Sequence, residues 1–168
     1  MSLKKKLQAS LSTAVLLASV ILCAPGAHAF GKGEKSMGVM GGYATYSHSG
    51  YVSANFQYTF ARHFRLAPEI GYVFLNNGRS GMEVSADMHF PFRVARGFGL
   101  YPLAGLTFQG WSVKVLGERE SWSRFGGDFG IGADIYFTNF LKMTFQGKYS
   151  WLKDTSGFFV GMGLSYVF

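Results

Sequence analysis

The sequence predicts an all-β fold: an eight-stranded, antiparallel, up-and-down transmembrane β-barrel preceded by a cleavable signal peptide. Three observations carry this expectation. Residues 1–29 have the regions of a secretory signal. Beyond them, large apolar residues alternate with small or polar ones in segments separated by clusters of turn formers. The last stretch, Phe158–Phe168, puts Phe158, Val160, Met162, Leu164, Tyr166 and Phe168 on one face and Phe159, Gly161, Gly163, Ser165 and Val167 on the other. A period of two places successive side chains on opposite faces of a strand, and a tilted strand crosses a bilayer in roughly 9–11 residues.

The export signal comes first. Lys4, Lys5 and Lys6 precede an apolar run, Leu11–Cys23, which is too short to span a membrane as a helix; Ala27-His28-Ala29 then offers a small-residue cleavage site. Cleavage there divides the chain into a signal peptide, 1–29, and a barrel domain, 30–168. Of the 168 residues, 29 leave with the signal and 139 remain; its three lysines take the net charge from +7 to +4. The remainder has no cysteine, so packing and hydrogen bonds rather than disulfides must stabilise it. Cys23 suggests the alternative of a lipoprotein, but Leu22 stands where that signal wants a small residue. A content of 48% hydrophobic and 17% aromatic residues, with 23 glycines and 4 prolines, suits a single strand-rich domain.

The strand candidates follow in order. Met37–Tyr46 has the weakest alternation, Met37, Val39, Gly41 and Tyr43 against Gly38, Met40, Gly42 and Ala44. After the turn at Ser47-His48-Ser49-Gly50, Tyr51–Phe60 alternates well, Val52 to Phe60 against Ser53, Asn55, Gln57 and Thr59. Ala61-Arg62-His63 turns the chain into Phe64–Leu75, where Arg65, Ala67, Glu69, Gly71 and Val73 share the mixed face. Asn76–Gly81 is a turn cluster, and Met82–Arg93 opposes Met82, Val84, Ala86 and Met88 to Glu83, Ser85, Asp87 and His89. Ala95-Arg96-Gly97 leads to Leu100–Val115, whose mixed face, Tyr101, Leu103, Gly105, Thr107 and Gln109, is assigned to the polar side. Gly117–Trp122 reads as the longest and most charged connection. Arg124–Phe137 sets Phe125, Phe129, Ile131 and Ile135 against Asp128, Asp134 and glycines, and the next strand, from Leu141, sets Leu141, Met143, Phe145 and Tyr149 against Lys142, Thr144, Gln146 and Lys148. Phe158–Phe168 completes the eight and closes against Met37–Tyr46, with glycines on the inner face of both leaving room for longer charged side chains.

Period alone leaves two barrels open. A soluble up-and-down barrel of lipocalin type would turn the apolar face inward around a ligand. Volume opposes it, because an eight-stranded barrel is just wide enough to be filled by side chains. Phenylalanine, tyrosine, leucine, methionine and tryptophan on nearly every strand are too bulky for that space. The apolar face should meet lipid, where only helices and closed barrels satisfy the backbone.

With this signal, strand repeat and the terminal Tyr166-Val167-Phe168, the chain resembles the small eight-stranded bacterial outer-membrane β-barrel proteins related to the OmpA transmembrane domain and the OmpX/Ail type. The resemblance covers the whole of residues 30–168. It implies a protein of the outer membrane whose terminal strand, through Leu164, Tyr166 and Phe168, is read by the barrel-assembly machinery. It also implies both chain ends and the turns at Arg62, Arg96 and Asn139 in the periplasm, with those at His48, Arg79, Glu120 and Asp154 outside. The outer connections are shorter than in members used for adhesion. Pro68, Pro91 and Pro102 are awkward in a closed sheet and suggest a bulged or frayed rim.

Candidate functional residues collect on the inner face. Glu69, Glu83, Asp87, His89, Asp128, Asp134, Lys142 and Lys148 form either a salt-bridged filling or the lining of a narrow path for ions or small solutes. Arg119, Trp122 and Arg124 are candidates for touching lipopolysaccharide phosphate. Tyr43, Tyr58, Tyr72, Trp111, Trp122, Tyr149 and Trp151 suit interfacial girdles. Ser47, His48 and Ser49 invite a lipid A-modifying enzyme, but no acid stands at recognisable spacing, and such residues are ordinary turn formers. Histidines on different ends and faces predict no metal site, and scattered positive charges predict no nucleic-acid partner. The expectation is therefore a monomeric, non-enzymatic, cofactor-free barrel among outer-membrane lipid and lipopolysaccharide. Its role would be structural or envelope-associated, with small-solute passage or surface interaction as alternatives.

Overall fold

The computed structural model describes residues 31–76, 79–115, 118–152 and 156–168. The predicted signal peptide at 1–29 lies outside them, as do Phe30, Asn77, Gly78, Gly117, Lys153, Asp154 and Thr155 from the predicted mature start and connections.

Nine β-segments follow one another: β1 Lys35–Ala44, β2 Ser49–Ala61, β3 Phe64–Asn76, β4 Arg79–His89, β5 Phe92–Ala95, β6 Phe98–Val115, β7 Glu118–Tyr136, β8 Leu141–Leu152 and β9 Gly157–Val167. All pairings are antiparallel, and β1 meets β9 from Ser36↔Val167 to Ala44↔Phe159, which closes the sheet. β4 and β5 both pair with β6 in one register, His89 opposite Leu103 and then Phe92 opposite Leu100. They form one stave interrupted at Phe90 and Pro91, so the barrel has the expected eight.

The interruption corrects the reading of Met82–Arg93 as one continuous strand. Pro91 has no N–H to give the ladder, while the Phe90 N–H still reaches the Pro102 carbonyl at 2.9 Å. Pro68 interrupts the ladder on its β2 side, where Ala67 and Pro68 have no partner, but neither Pro68 nor Pro102 shifts the register. Pro68 stands opposite Ala86 and Pro102 opposite Ile131 with no slip of register. The register shifts fall beside turns instead, at Thr59/Ala61, Val73/Asn76 and Arg93/Ala95. The predicted connection at Gly117–Trp122 is also corrected, because Glu118–Trp122 extends β7 and pairs with β6 as far as Val115↔Glu118.

Burial is inverted relative to a soluble protein. Ile131, 71% exposed, Phe125, Phe129, Val160 and Met162 face outward, while Arg65, Glu83, Asp128, Asp134, Lys142 and Lys148 are buried inside. This is the polarity expected where lipid surrounds the barrel and polar groups fill its centre. Closure leaves no unpaired sheet edge across the membrane-crossing part, which hydrocarbon would penalise.

Inward glycines have a more specific use than leaving space for charges. Gly71 lies under the Tyr51 ring, Gly132 under Tyr101 and Gly161 under Phe159, and a Cβ at Gly81 would sit 3.1 Å from the Trp111 ring. The space that glycine vacates is taken by an aromatic ring, from the adjacent strand for Tyr51, Tyr101 and Trp111 and from the same strand for Phe159. Trp111 therefore leaves the predicted girdle: it is buried in a cluster with Met40, Ala44, Tyr51, Val73 and Phe159, and Trp122 packs on the same cluster. Tyr43, Tyr58, Tyr72, Tyr149 and Trp151 do face outward.

Candidate functional site

The lumen is organised around Lys148. Its position on β8 belongs to the inward set Lys142, Thr144, Gln146, Lys148 and Ser150, all buried. The ammonium nitrogen stands 3.3 Å from Glu83 Oε1 and from Asp128 Oδ2, 3.5 Å from Glu69 Oε1 and 3.8 Å from Asp87 Oδ2. These carboxylates come from β3, β4 and β7, so one lysine ties three staves to its own. Lys148 also donates to Ser85 Oγ at 3.5 Å and lies 5.8 Å from the centre of the Phe159 ring.

Four carboxylates around one ammonium need more donors, and neutral side chains supply them to Glu69 and Glu83, while Asp87 Oδ1 and both Asp128 oxygens have no hydrogen-bond donor among the described residues. Tyr51 Oη donates to Glu69 Oε1 at 2.7 Å, Tyr46 Oη to Glu83 Oε2 at 2.9 Å, and Gln109 Nε2 to Glu83 Oε2 at 2.7 Å. Trp111 Nε1 then donates to Gln109 Oε1 at 3.0 Å, which fixes the amide's orientation. Tyr46 sits in the β1–β2 connection, where burial and the neighbouring Glu83 carboxylate push its phenol above the ordinary tyrosine range.

A second layer lies nearer the end where β1 begins and β9 finishes. Arg65 Nη1 donates to Asp134 Oδ2 at 2.6 Å, Arg65 Nε donates to His89 Nδ1 at 3.2 Å, and its guanidinium stacks 4.6 Å from the Tyr101 ring centre. With Nδ1 accepting, the His89 ring proton is assigned to Nε2. The same imidazole stacks on Tyr101 at 4.4 Å. Thr144 Oγ1 donates to Asp134 Oδ1 at 2.8 Å. Lys142 Nζ donates to Gln57 Oε1 at 2.8 Å and reaches Glu34 Oε1 at 3.5 Å, and Tyr136 Oη donates to that oxygen at 2.6 Å.

The structure thus gathers Glu69, Glu83, Asp87 and Asp128 on Lys148, and Asp134 and His89 on Arg65, with Lys142 beside Asp134 at 3.9 Å. Arg65 is on the predicted inner face but was not singled out among the charged candidates, although it is the largest of the fully buried side chains. Glu34 precedes the first predicted strand, and only the hydrogen-bonded geometry reveals its part. Tyr51 was read as the edge of a strand, yet its inward parity was visible in the sequence.

The remaining candidates are more dispersed. Trp122 is half-buried against the lumenal cluster, with the Arg124 guanidinium 5.9 Å from its ring centre, and the Arg119 side chain lies outside the described residues. Ser47 Oγ donates to the Ala44 carbonyl and Ser49 Oγ to the Ser47 carbonyl, and His48 adopts φ 51° between them. Leu164, Tyr166 and Phe168 face outward, and Tyr166 and Phe168 stack at 6.3 Å.

No protein-family model matches the chain, and no curated protein does. Solved structures do match. The N-terminal β-barrel domain of Pseudomonas aeruginosa OprF aligns with a TM-score of 0.68 at 16% identity, covering 82% of this chain and 99% of that one. This chain has the fold of the small outer-membrane β-barrels. Ail, the attachment invasion locus protein of Yersinia pestis, aligns with a TM-score of 0.62 at 18% identity, over 82% of this chain and all of Ail. Neisserial surface protein A gives 0.63 at 14% identity, over 80% of this chain and 96% of its own. At such identities the likeness establishes architecture, and the role must be argued from the residues of this chain.

Proposed function

We propose that the chain is exported through a signal peptide cleaved after Ala29, inserted by the barrel-assembly machinery through its terminal aromatic strand, and resident in the outer membrane as a closed, non-enzymatic scaffold of the envelope. The observation that carries this reading is Lys148 held among four carboxylates in the middle of the lumen. Its ammonium occupies the place a passing cation would need, and the layer of Arg65, Asp134 and Lys142 lies in series with it. Two such layers fill the cross-section with paired charge, which supports closure over solute passage. Conductance of the refolded protein in a planar bilayer tests this: a silent membrane is expected, and discrete openings of uniform size would move the assignment to a narrow channel.

One feature favours a second role in surface interaction. β7 has 19 residues, well beyond the roughly 9–11 that a bilayer requires, and Glu118–Phe125 pairs with β6 alone among the described residues. β7 therefore projects past β8 on the side away from the chain ends, while β6 stays paired with β4 as far as Val113. Arg124, beside Trp122, is positioned there for lipopolysaccharide phosphate. Binding of purified lipopolysaccharide that weakens in Arg124→Gln supports this role, and unchanged binding removes it.

A further inference from the structure

The opposite rim, where β1 begins and β9 finishes, carries a group of exposed basic side chains. Lys32, Lys35, Arg62, Arg93 and Arg96 are all exposed there, and none has an ion-pair partner among the described residues. The nearest acids, Glu34 and Asp134, are turned inward onto Lys142 and Arg65. The far end of β7, by contrast, mixes acids and a base in sequence, Glu118, Arg119 and Glu120.

These basic residues are interleaved with exposed apolar ones. β5 pairs only with β6, beyond the point where β3 starts, and all four of its residues are exposed. Phe92, 50% exposed, and Val94, 59% exposed, prolong the lipid-facing stripe, while Arg93 stands between them and Arg96 at the turn made by Gly97, φ 73°. His63 stacks on Phe92 at 5.8 Å and meets the Pro91 carbonyl at 3.3 Å, which fastens the Arg62 turn to this hairpin. The Arg62 turn therefore lies beside the hairpin that carries Arg93 and Arg96.

We propose that this rim binds the phosphates of anionic phospholipids in the leaflet it faces, with Arg62, Arg93 and Arg96 as the principal contacts and Phe92 and Val94 among the acyl chains. The inference rests on the membrane-spanning reading above. A basic face is attracted to an anionic bilayer surface over about a Debye length. Phospholipid is favoured over a soluble polyanion because the apolar side chains alternate with the arginines on the same rim and would gain nothing from a water-soluble glycan.

The test uses the folded chain, residues 30–168, in detergent with added phosphatidylglycerol, phosphatidylethanolamine or phosphatidylcholine, and reads retained lipid by native mass spectrometry. Phosphatidylglycerol should be retained preferentially. Each basic residue near an anionic surface contributes about fivefold, so Arg62→Gln with Arg93→Gln and Arg96→Gln should reduce the preference at least tenfold. The same charge change made at Arg79, Lys114 and Lys153, which belong to no proposed phosphate contact, should leave it intact. Equal retention of the three lipids by the parent chain overturns the proposal, as does a preference that survives the rim variant. Co-sedimentation with purified peptidoglycan in place of lipid preference also overturns it and assigns the rim to a glycan. Heat-modifiable migration separates these outcomes from failure of the membrane reading, in which no variant, nor the parent chain, would form a barrel in lipid.

Discussion

Replacing Lys148 with methionine keeps most of the side-chain volume and removes the ammonium from the centre of the lumen. At an effective dielectric of about 20, each contact near 3.3 Å is worth roughly 5 kcal/mol of attraction. Lys148 makes two contacts at that distance, to Glu83 and Asp128, and two longer ones, to Glu69 and Asp87. Against this stands the desolvation of the ammonium, several kcal/mol. The variant recovers that cost but leaves four carboxylates facing one another in a buried space. Removing one partner of a buried pair costs about 3–5 kcal/mol, and the crowding here argues for the upper part of that range. Urea unfolding from lipid vesicles, followed by the fluorescence of Trp111, Trp122 and Trp151, should show the loss. With a urea slope of roughly 2 kcal/mol per molar, the midpoint should fall by about 2 M. Adding Glu83→Gln and Asp128→Asn to Lys148→Met should restore at least half of the stability. A loss below about 1 kcal/mol, or no recovery in the combined variant, would refute the idea that Lys148 organises the lumen.

Other consequences are equally direct. Gly71→Ala places a Cβ in the Tyr51 ring and should cost roughly 1–3 kcal/mol, whereas Gly147→Ala faces outward with nothing within 4 Å and should leave the urea midpoint unchanged. A double-mutant cycle of Arg65→Met and Asp134→Asn should give a coupling energy of about 1–3 kcal/mol, and additive losses would deny the 2.6 Å pair its role. Ile131→Arg, at an outward position 71% exposed, should weaken folding into lipid by up to about 2–4 kcal/mol; a neutral result would place that position outside hydrocarbon. If the proposed assembly route holds, Phe168→Ala should reduce the heat-modifiable fraction in cells without slowing refolding in pure lipid, and an unchanged fraction in cells would remove that proposal.

The faces of the strands were legible because lipid enforces the alternation on nearly every segment. Even the ambiguous stretch holding Tyr101, Leu103 and Thr107 was assigned correctly to the inside, as their burial shows. Partnerships across the lumen were not legible. Arg65 meets Asp134 although 69 residues separate them, and which inward side chains share a level depends on the stagger of the staves. Alternation does not encode that stagger. Proline acts position by position: it breaks the ladder at Pro91 and on the β2 side of Pro68, where Phe56 and Gln57 find no β3 partner, while Pro102 leaves its ladder with β7 continuous. Trp111 continues by parity the inward set that runs from Tyr101 to Gln109, and Gly81 opposite it on the adjacent strand vacates the space its ring needs. Such a pairing of glycine with an aromatic ring is visible only once register is known.

The proposed barrel has a sealed inner face and an outer face that meets lipid. Residues 30–168 contain no cysteine, so a single introduced thiol reports without background. Thr107 is fully buried on the inner face and close to cysteine in size. In the folded Thr107→Cys protein in lipid vesicles, a small, water-soluble methanethiosulfonate reagent should fail to react, while Ser156→Cys at an exposed position reacts at once and both react after unfolding. Rapid modification at position 107 in the folded state would contradict the sealed lumen.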